Sequence, residues 1–264
     1  MRADGTSVSA SPGRANLRPL TILLVAVAVV TSAGVGVLGA LVPRFVVPPP
    51  PPLAIRSVAF SPNPPIPGQQ VSIVAEVSGR APTLSVSLGY ASAFADQSSG
   101  GVSMLPDGQG GFEGGIGPFG SGTEVWFVVS VSTSDQGPLL SNYTSFQVGN
   151  VYRNESAGLR VTNVSRSVQD PQPFDTVTVR ADILGGLNLS QANVLTLETT
   201  RGLAFGFFNP MRRGFNSTDY EGAVFPPSLG GETIVAYLVA VQDASQNTAV
   251  SPVFTYRVAS SPIP

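Results

Sequence analysis

The chain carries two copies of one pattern, about 108 residues apart, and this duplication constrains its fold more than any other feature. Residues 125–148 align without a gap to residues 235–258. Residues 55–77 align in the same way to residues 161–183. A period of this length indicates that a whole domain is duplicated, because solenoid repeats are several times shorter.

Each copy has the pattern of β-strands. In residues 177–183 apolar side chains alternate with Thr178, Arg180 and Asp182, and residues 71–77 alternate in the same way. A period of two places one face toward a core and the other toward water, as in antiparallel sheets. Clusters of Gly, Pro, Asn and Asp, such as residues 106–111 and 209–214, separate the runs. The fold class is therefore predicted to be all-β, with two tandem antiparallel β-sandwiches. Further strands are predicted at 84–88, 125–131, 144–148, 194–198, 234–241 and 254–258.

A long uncharged segment precedes both copies. Residues 20–42 contain no charged side chain, and as a helix they would extend about 34 Å, enough to cross a hydrocarbon core of about 30 Å. Three arginines precede the segment and one follows it closely, which predicts a cytoplasmic N-terminus and extracellular C-terminal domains. A signal peptide cleaved near Ala33 is the alternative, and it also exports the rest of the chain.

These patterns predict a single-pass protein of the cell membrane with seven segments. They are a disordered cytoplasmic tail (1–19), a transmembrane signal anchor (20–42), a Pro-rich spacer (43–53), a first sandwich (54–149), a linker (150–158), a second sandwich (159–259) and a C-terminal tail (260–264). The spacer includes five consecutive prolines, an extended rod of about 15 Å that holds the first sandwich off the bilayer.

Missing residue types exclude most catalytic chemistry. The chain has no Cys and no His, and all 14 of its basic residues are Arg. Serine triads with a His base, Cys-His pairs, Schiff-base lysines, zinc sites of Cys and His, and Walker-type phosphate loops are therefore excluded. The net charge of −2 leaves no basic surface of the kind that nucleic-acid binding needs. Carboxylate-pair hydrolysis and calcium binding remain, and no cofactor is expected.

One segment resembles a known kind of module. Tyr237 to Asp243, followed by Asn247, resembles the Y-x-V-x-A-x-D-x-x-x-N signature of tandem immunoglobulin-like and fibronectin type III-like modules of archaeal or bacterial cell-surface proteins. Val241 stands where that signature has Ala. The first copy departs further, with Phe127 in place of the Tyr and Thr133 in place of the Asp. The resemblance covers about residues 54–258 and implies an Ig-like fold, but such modules serve as spacers, adhesins and binding units alike.

Oxygen-bearing side chains provide the candidates for metal binding and hydrolysis. The calcium candidates are Asp243, Asn247, Asp170 and Asp175, and the alternative is that these residues only favour turns. The carboxylates available for hydrolysis are Glu113, Glu221, Glu198 and Asp219. Glu113 and Glu221 occupy equivalent points of the two copies, which indicates a structural role, so we expect no enzymatic activity.

Aromatic and basic residues provide the candidates for interaction. Trp126 points away from the apolar face that both copies share, so it is expected either to stack on a sugar or partner, or to be covered by another strand or module. Alternation cannot place Phe205, Phe207 and Phe208 on one face. At least one of them is therefore expected beside Arg212 and Arg213 at an interface, unless the phenylalanines fill the sandwich and the arginine pair caps a loop.

Five N-x-S/T sequons lie in the part of the chain predicted to be outside the cell, where glycosylation requires them to be. They begin at Asn142, Asn154, Asn163, Asn188 and Asn216.

The sequence thus predicts a non-catalytic, membrane-anchored extracellular protein that acts in cell-envelope structure, adhesion or recognition. Its expected partners are the lipid bilayer and an envelope protein, an S-layer or a glycan. Two alternatives stay open: a subunit of an archaeal surface machine, such as an archaellum stator or pilus, and a sugar-binding accessory module.

Overall fold

Every regular element in the described part of the chain is a β-strand. The structure is a computed structural model that describes residues 51–79, 84–134, 137–151, 153, 158–185, 188–214, 218–224 and 232–259. The predicted tail, transmembrane segment and most of the spacer lie outside these residues. No helix long and apolar enough to cross a membrane occurs among the described residues.

The described residues contain eighteen strands in two sets of nine, called here the first and second modules. The first module contains β1 (Ala54–Ser61), β2 (Val71–Ser78), β3 (Leu84–Phe94), β4 (Ser99–Ser103), β5 (Leu105–Pro106), β6 (Gly111–Ile116), β7 (Thr123–Thr133), β8 (Leu139–Leu140) and β9 (Thr144–Val148). The second contains β10 (Arg160–Arg166), β11 (Val177–Leu184), β12 (Leu189–Thr200), β13 (Leu203–Pro210), β14 (Arg212–Arg213), β15 (Asp219–Val224), β16 (Thr233–Asp243), β17 (Thr248–Val250) and β18 (Phe254–Val258).

Each module is a sandwich of an outer and an inner sheet. The outer sheets have the order β1-β2-β6-β5 and β10-β11-β15-β14. The inner sheets have the order β4-β3-β7-β8 and β13-β12-β16-β17, with β9 and β18 also paired to β7 and β16. All pairs are antiparallel, and the order corresponds to the ABED and CFG sheets of immunoglobulin domains with one added edge strand. For the described residues, the prediction of antiparallel β-sandwiches is confirmed; the predicted transmembrane helix lies outside them.

The apolar faces of the alternating strands form the core of each sandwich. Val71, Ile73 and Ala75 of β2 are buried against the inner sheet of the first module. Val177 and Val179 of β11 are buried in the same way in the second. Because successive residues of a strand point to opposite faces, the polar residues between them lie on the outer surface.

A third core joins the two inner sheets face to face. It contains Phe94 and Trp126 from the first module and Leu195, Leu197 and Leu238 from the second. The two inner sheets are therefore covered on both faces, which places four sheets in layers. This explains why residues 123–132 of β7 are all buried and why its sequence is nearly continuous in apolar residues.

Small residues let the inner sheets approach closely. A Cβ atom at Gly206 would lie only 1.7 Å from the carbonyl oxygen of Tyr90, so β13 contacts the backbone of β3 directly. The buried Ser87 hydroxyl adds two hydrogen bonds across the joint: it donates to the Gly202 carbonyl (2.7 Å) and accepts from the Ala204 N–H (2.9 Å). Close packing and satisfied polar groups of this kind favour one fixed arrangement of the two modules.

Candidate functional site

Exposed apolar and basic side chains of the second module lie on two consecutive strands, β13 and β14. Phe207 and Phe208 are 45% and 36% exposed, although buried positions are the norm for Phe. They are neighbours on β13, the last strand of its sheet, so they point to opposite faces. The sequence argument that the phenylalanines cannot share one face is therefore correct, and it leaves two aromatic rings at the surface.

A groove of about 350 Å³ continues this surface onto the outer sheet. Asn209, Pro210, Arg212 and Glu221 line it. Arg212 lies opposite Glu221 in the strand register, and Glu221 also pairs with Arg180 at 3.5 Å. These side chains are exposed, so the ion pair contributes little stability and remains available to a partner.

The equivalent edge of the first module has different chemistry. Leu105 and Pro106 of β5 occupy the register positions of Arg212 and Arg213, because Glu113 pairs with Leu105 as Glu221 pairs with Arg212. Sandwich formation therefore does not require an aromatic and basic edge. We define the aromatic-basic edge of the second module as Phe207, Phe208, Arg212 and Arg213 with the adjoining groove.

Trp126 does not contribute to an open surface. It points away from the core of its own sandwich, as its alternation predicts, but only 6% of it is exposed. Its ring packs edge-on against Phe94 and against the leucines of the second module. Of the alternatives left open by the sequence, the structure shows the one in which the other module covers the indole.

A cluster with more polar groups occupies the second module where the first has three phenylalanines. Phe60, Phe127 and Phe146 pack together in the first module, with ring centroids 5.1 Å apart for Phe60–Phe146 and 6.0 Å apart for Phe127–Phe146. The aligned residues of the second module are Arg166, Tyr237 and Tyr256. The Arg166 guanidinium lies 5.3 Å from the centroid of the Tyr256 ring.

Glu198 adds a carboxyl group to this polar cluster. It is 5% exposed, and burial raises its pKa to about 7. Burial, followed by the nearby Glu198 carboxylate, also raises the pKa of Tyr256. The Tyr256 hydroxyl and the Thr196 hydroxyl are buried without a hydrogen-bond partner among the described residues. Burial is the cause of the raised Glu198 pKa, and no other carboxylate among the described residues contributes to it. The cluster therefore offers no pair of carboxylates for hydrolysis.

An ion pair that was not predicted from the sequence attaches the linker to the first module. Arg153 donates to both carboxylate oxygens of Glu124, whose side chain is almost fully buried. Burial raises the pKa of Glu124, and the Arg153 guanidinium opposes that effect. A lone Glu in the apolar strand of residues 123–133 was the available signal, because a buried carboxylate needs a cation or hydrogen-bond donors.

Three of the four calcium candidates hold turns in the structure, and Asp170 lies at a bend. Asp243 accepts hydrogen bonds from the backbone and side-chain nitrogens of Asn247, at 2.9 and 2.8 Å. Asp175 accepts from the Gln172 N–H at 2.8 Å. No group of three or more acidic residues that could hold a metal ion occurs in the described ranges.

Three of the five sequons fall on described residues. Asn142, Asn163 and Asn188 are exposed. The Asn163 side-chain amide donates to Asp182 at 2.7 Å, whereas no hydrogen bond of the other two side-chain amides is seen among the described residues. Asn154 and Asn216 lie outside the described residues.

Comparison with known proteins carries no argument about the fold or the function of this chain. No family model and no curated protein matches the chain. Among solved structures, the FN1–FN3 domains of chicken CNTN1 align with a TM-score of 0.28 and 11% identity, over 80% of this chain and 65% of that one. Yellow lupin purple acid phosphatase PPD1 aligns with a TM-score of 0.29 and 10% identity, over 78% and 41% of the two chains. The cycloalternan-forming enzyme of Listeria monocytogenes aligns with a TM-score of 0.30 and 14% identity, over 74% and 18%. The chain spans less than two thirds of each of these structures, and no functional argument rests on them.

Proposed function

We propose that the chain is a non-catalytic, membrane-anchored protein whose two modules lie outside the cell, where they act in cell-envelope structure, adhesion or recognition. The uncharged segment 20–42, with its arginines mainly on the N-terminal side, supports this topology. The absence of Cys, His and Lys from the sequence supports a role without covalent or acid-base catalysis by those residues.

The observation that carries the proposal is the aromatic-basic edge of the second module. Exposed Phe beside Arg is a combination enriched at protein interfaces and depleted from ordinary surfaces. The two guanidinium groups and the two rings suit a protein partner that presents acidic and apolar side chains together. We therefore propose an envelope protein as the partner at this edge.

Protease treatment of intact cells tests the topology. Added protease is expected to digest the two modules and to leave a membrane-bound N-terminal fragment that includes residues 20–42. Modules that resist protease until the cells are lysed would overturn the extracellular assignment.

Co-sedimentation with isolated cell envelopes tests the role of the edge. The full chain in detergent micelles is mixed with envelopes, and the bound fraction is measured for wild type and for a Phe207→Ser/Phe208→Ser variant. Loss of two interface aromatics is expected to weaken binding by about tenfold or more. Phe174→Ser is the matched control, because Phe174 is a 70% exposed Phe in a turn of the same module, away from β13. Equal binding by the double variant and the control would overturn the proposed edge.

A further inference from the structure

A second cavity lies at one end of the joint between the modules. Its volume is about 280 Å³. Phe94 and Ser121 line it from the first module, and Gln191, Gln242 and Gln246 line it from the second. Pockets between domains are frequent ligand sites, and this volume is near the lower end of the range of about 300–1,000 Å³ for small molecules.

The walls of this cavity are polar and uncharged. Four carboxamides, from Asn150, Gln191, Gln242 and Gln246, face it together with the hydroxyl-bearing Ser121. A carboxamide both donates and accepts hydrogen bonds, and so does a hydroxyl. No charged side chain is among the described residues that line the cavity, so a buried ion would have no counter-charge there.

One of these amides has an unused acceptor. The Gln191 Nε2 atom donates to the Phe94 carbonyl at 3.0 Å, which fixes the side chain across the joint. Its Oε1 atom is buried and has no hydrogen-bond partner among the described residues. A buried acceptor without a donor is costly, so the bond from Nε2 to the Phe94 carbonyl is the contact that holds this side chain at the cavity wall.

Backbone strain occurs on both walls. Phe94 has φ +76° and Gln246 has φ +65°, in the left-handed region that favours glycine. The Gln246 turn is held by the Gln246 N–H bond to the Asp243 carbonyl at 3.0 Å and by the bonds between Asp243 and Asn247. Strained residues persist where the surrounding structure fixes them, and they are concentrated at ligand sites.

We propose that this inter-module cavity binds a neutral, polyhydroxylated small molecule, specifically a single sugar ring of the hexose class. Sugar hydroxyl groups and carboxamides can each both donate and accept hydrogen bonds, so the two are complementary. The volume suits one sugar ring rather than a chain of rings. The cavity is much larger than the about 30 Å³ that one water molecule occupies, so a single water does not fill it. This site is separate from the aromatic-basic edge, and neither proposal requires the other.

Saturation-transfer NMR on the full chain tests the proposal. The protein is kept in a detergent without a sugar headgroup, so that the detergent does not occupy the cavity. The probes are glucose, galactose, mannose and N-acetylglucosamine, with glucuronate as the charged counterpart of glucose. At least one neutral sugar is expected to bind with a low-millimolar Kd, and glucuronate about tenfold more weakly, because its carboxylate would be desolvated without a cation.

Two variants assign the binding to the cavity. Gln242→Ala and Gln246→Ala are each expected to weaken binding by about tenfold through the loss of a hydrogen bond. Gln109→Ala is the control, because Gln109 is an exposed Gln in the first module outside the cavity lining, and it is expected to leave the Kd unchanged. Thermal unfolding of each variant without sugar shows that the fold is retained. The proposal is overturned if no neutral sugar binds, if glucuronate binds as tightly as glucose, or if both cavity variants keep the wild-type Kd.

Discussion

Glu198 should make the stability of the second module depend on pH near neutrality. Its pKa is about 7 in the folded chain and close to the usual 4.5 in the unfolded chain. At about 1.4 kcal/mol per pKa unit, this difference corresponds to about 3 kcal/mol. Between these two pKa values the folded state holds a proton that the unfolded state releases. Stability is therefore expected to fall as pH rises from about 4.5 to about 7, and then to level off.

Urea unfolding of the full chain in detergent measures this effect. The free energy of unfolding is determined at several pH values from 5 to 8, by far-ultraviolet circular dichroism and by the fluorescence of the single tryptophan. Wild type is expected to lose about 2–3 kcal/mol across this range. Glu198→Gln keeps the shape of the side chain without its ionisation, so most of the loss should disappear. The smaller slope that remains is expected from Glu124, whose pKa is also raised.

Two results would contradict this account. One is a wild-type stability that stays level or rises from pH 5 to pH 7.5. The other is a Glu198→Gln variant that keeps the full wild-type slope, because the titration would then belong to another group.

Three further substitutions test the packing described above. Gly206→Ala places a methyl group against the backbone of the facing strand and should lower the free energy of unfolding by about 1–3 kcal/mol, with a red-shifted tryptophan emission. Gly137→Ala is the control, because its methyl group would meet open space and should lower the free energy of unfolding much less. Arg153→Ala leaves Glu124 buried without its cation. Because the arginine is about half exposed, we expect the free energy of unfolding in urea to fall by about 1–2 kcal/mol. Adding Glu124→Gln should restore that stability, because it removes the buried charge. Phe174→Gly relieves a left-handed backbone at an exposed side chain (φ +74°) and should raise the melting temperature, and a lower value would refute the assignment of strain there.

The fold class could be predicted from the sequence, because alternation shows which face of a strand is buried and duplication shows that the same domain occurs twice. The strands at residues 144–148 and 254–258 have the predicted bounds, and the four long inner strands extend several residues beyond the predicted segments. Residues 99–103 were missed as a strand because Ser and Gly there carry no apolar alternation; small residues are needed at that edge since β13 packs on it.

The candidate sites were only partly predictable, because alternation shows which face a residue occupies but not what covers that face. Trp126 illustrates this: its orientation followed from the sequence, while its burial depends on a module about 70 residues further along the chain. The amide-lined cavity could not be predicted from any single stretch of sequence, because its two walls come from distant segments. The exposed phenylalanines of β13 were recognisable because they violate alternation.

The layered arrangement bears on how such a chain could have arisen. The surfaces that meet at the joint are corresponding faces of the two copies. A single copy would expose Trp126 and the apolar residues around it to water. Pairing with a second copy would bury them again. Gene fusion would then have made a pre-existing pairing permanent.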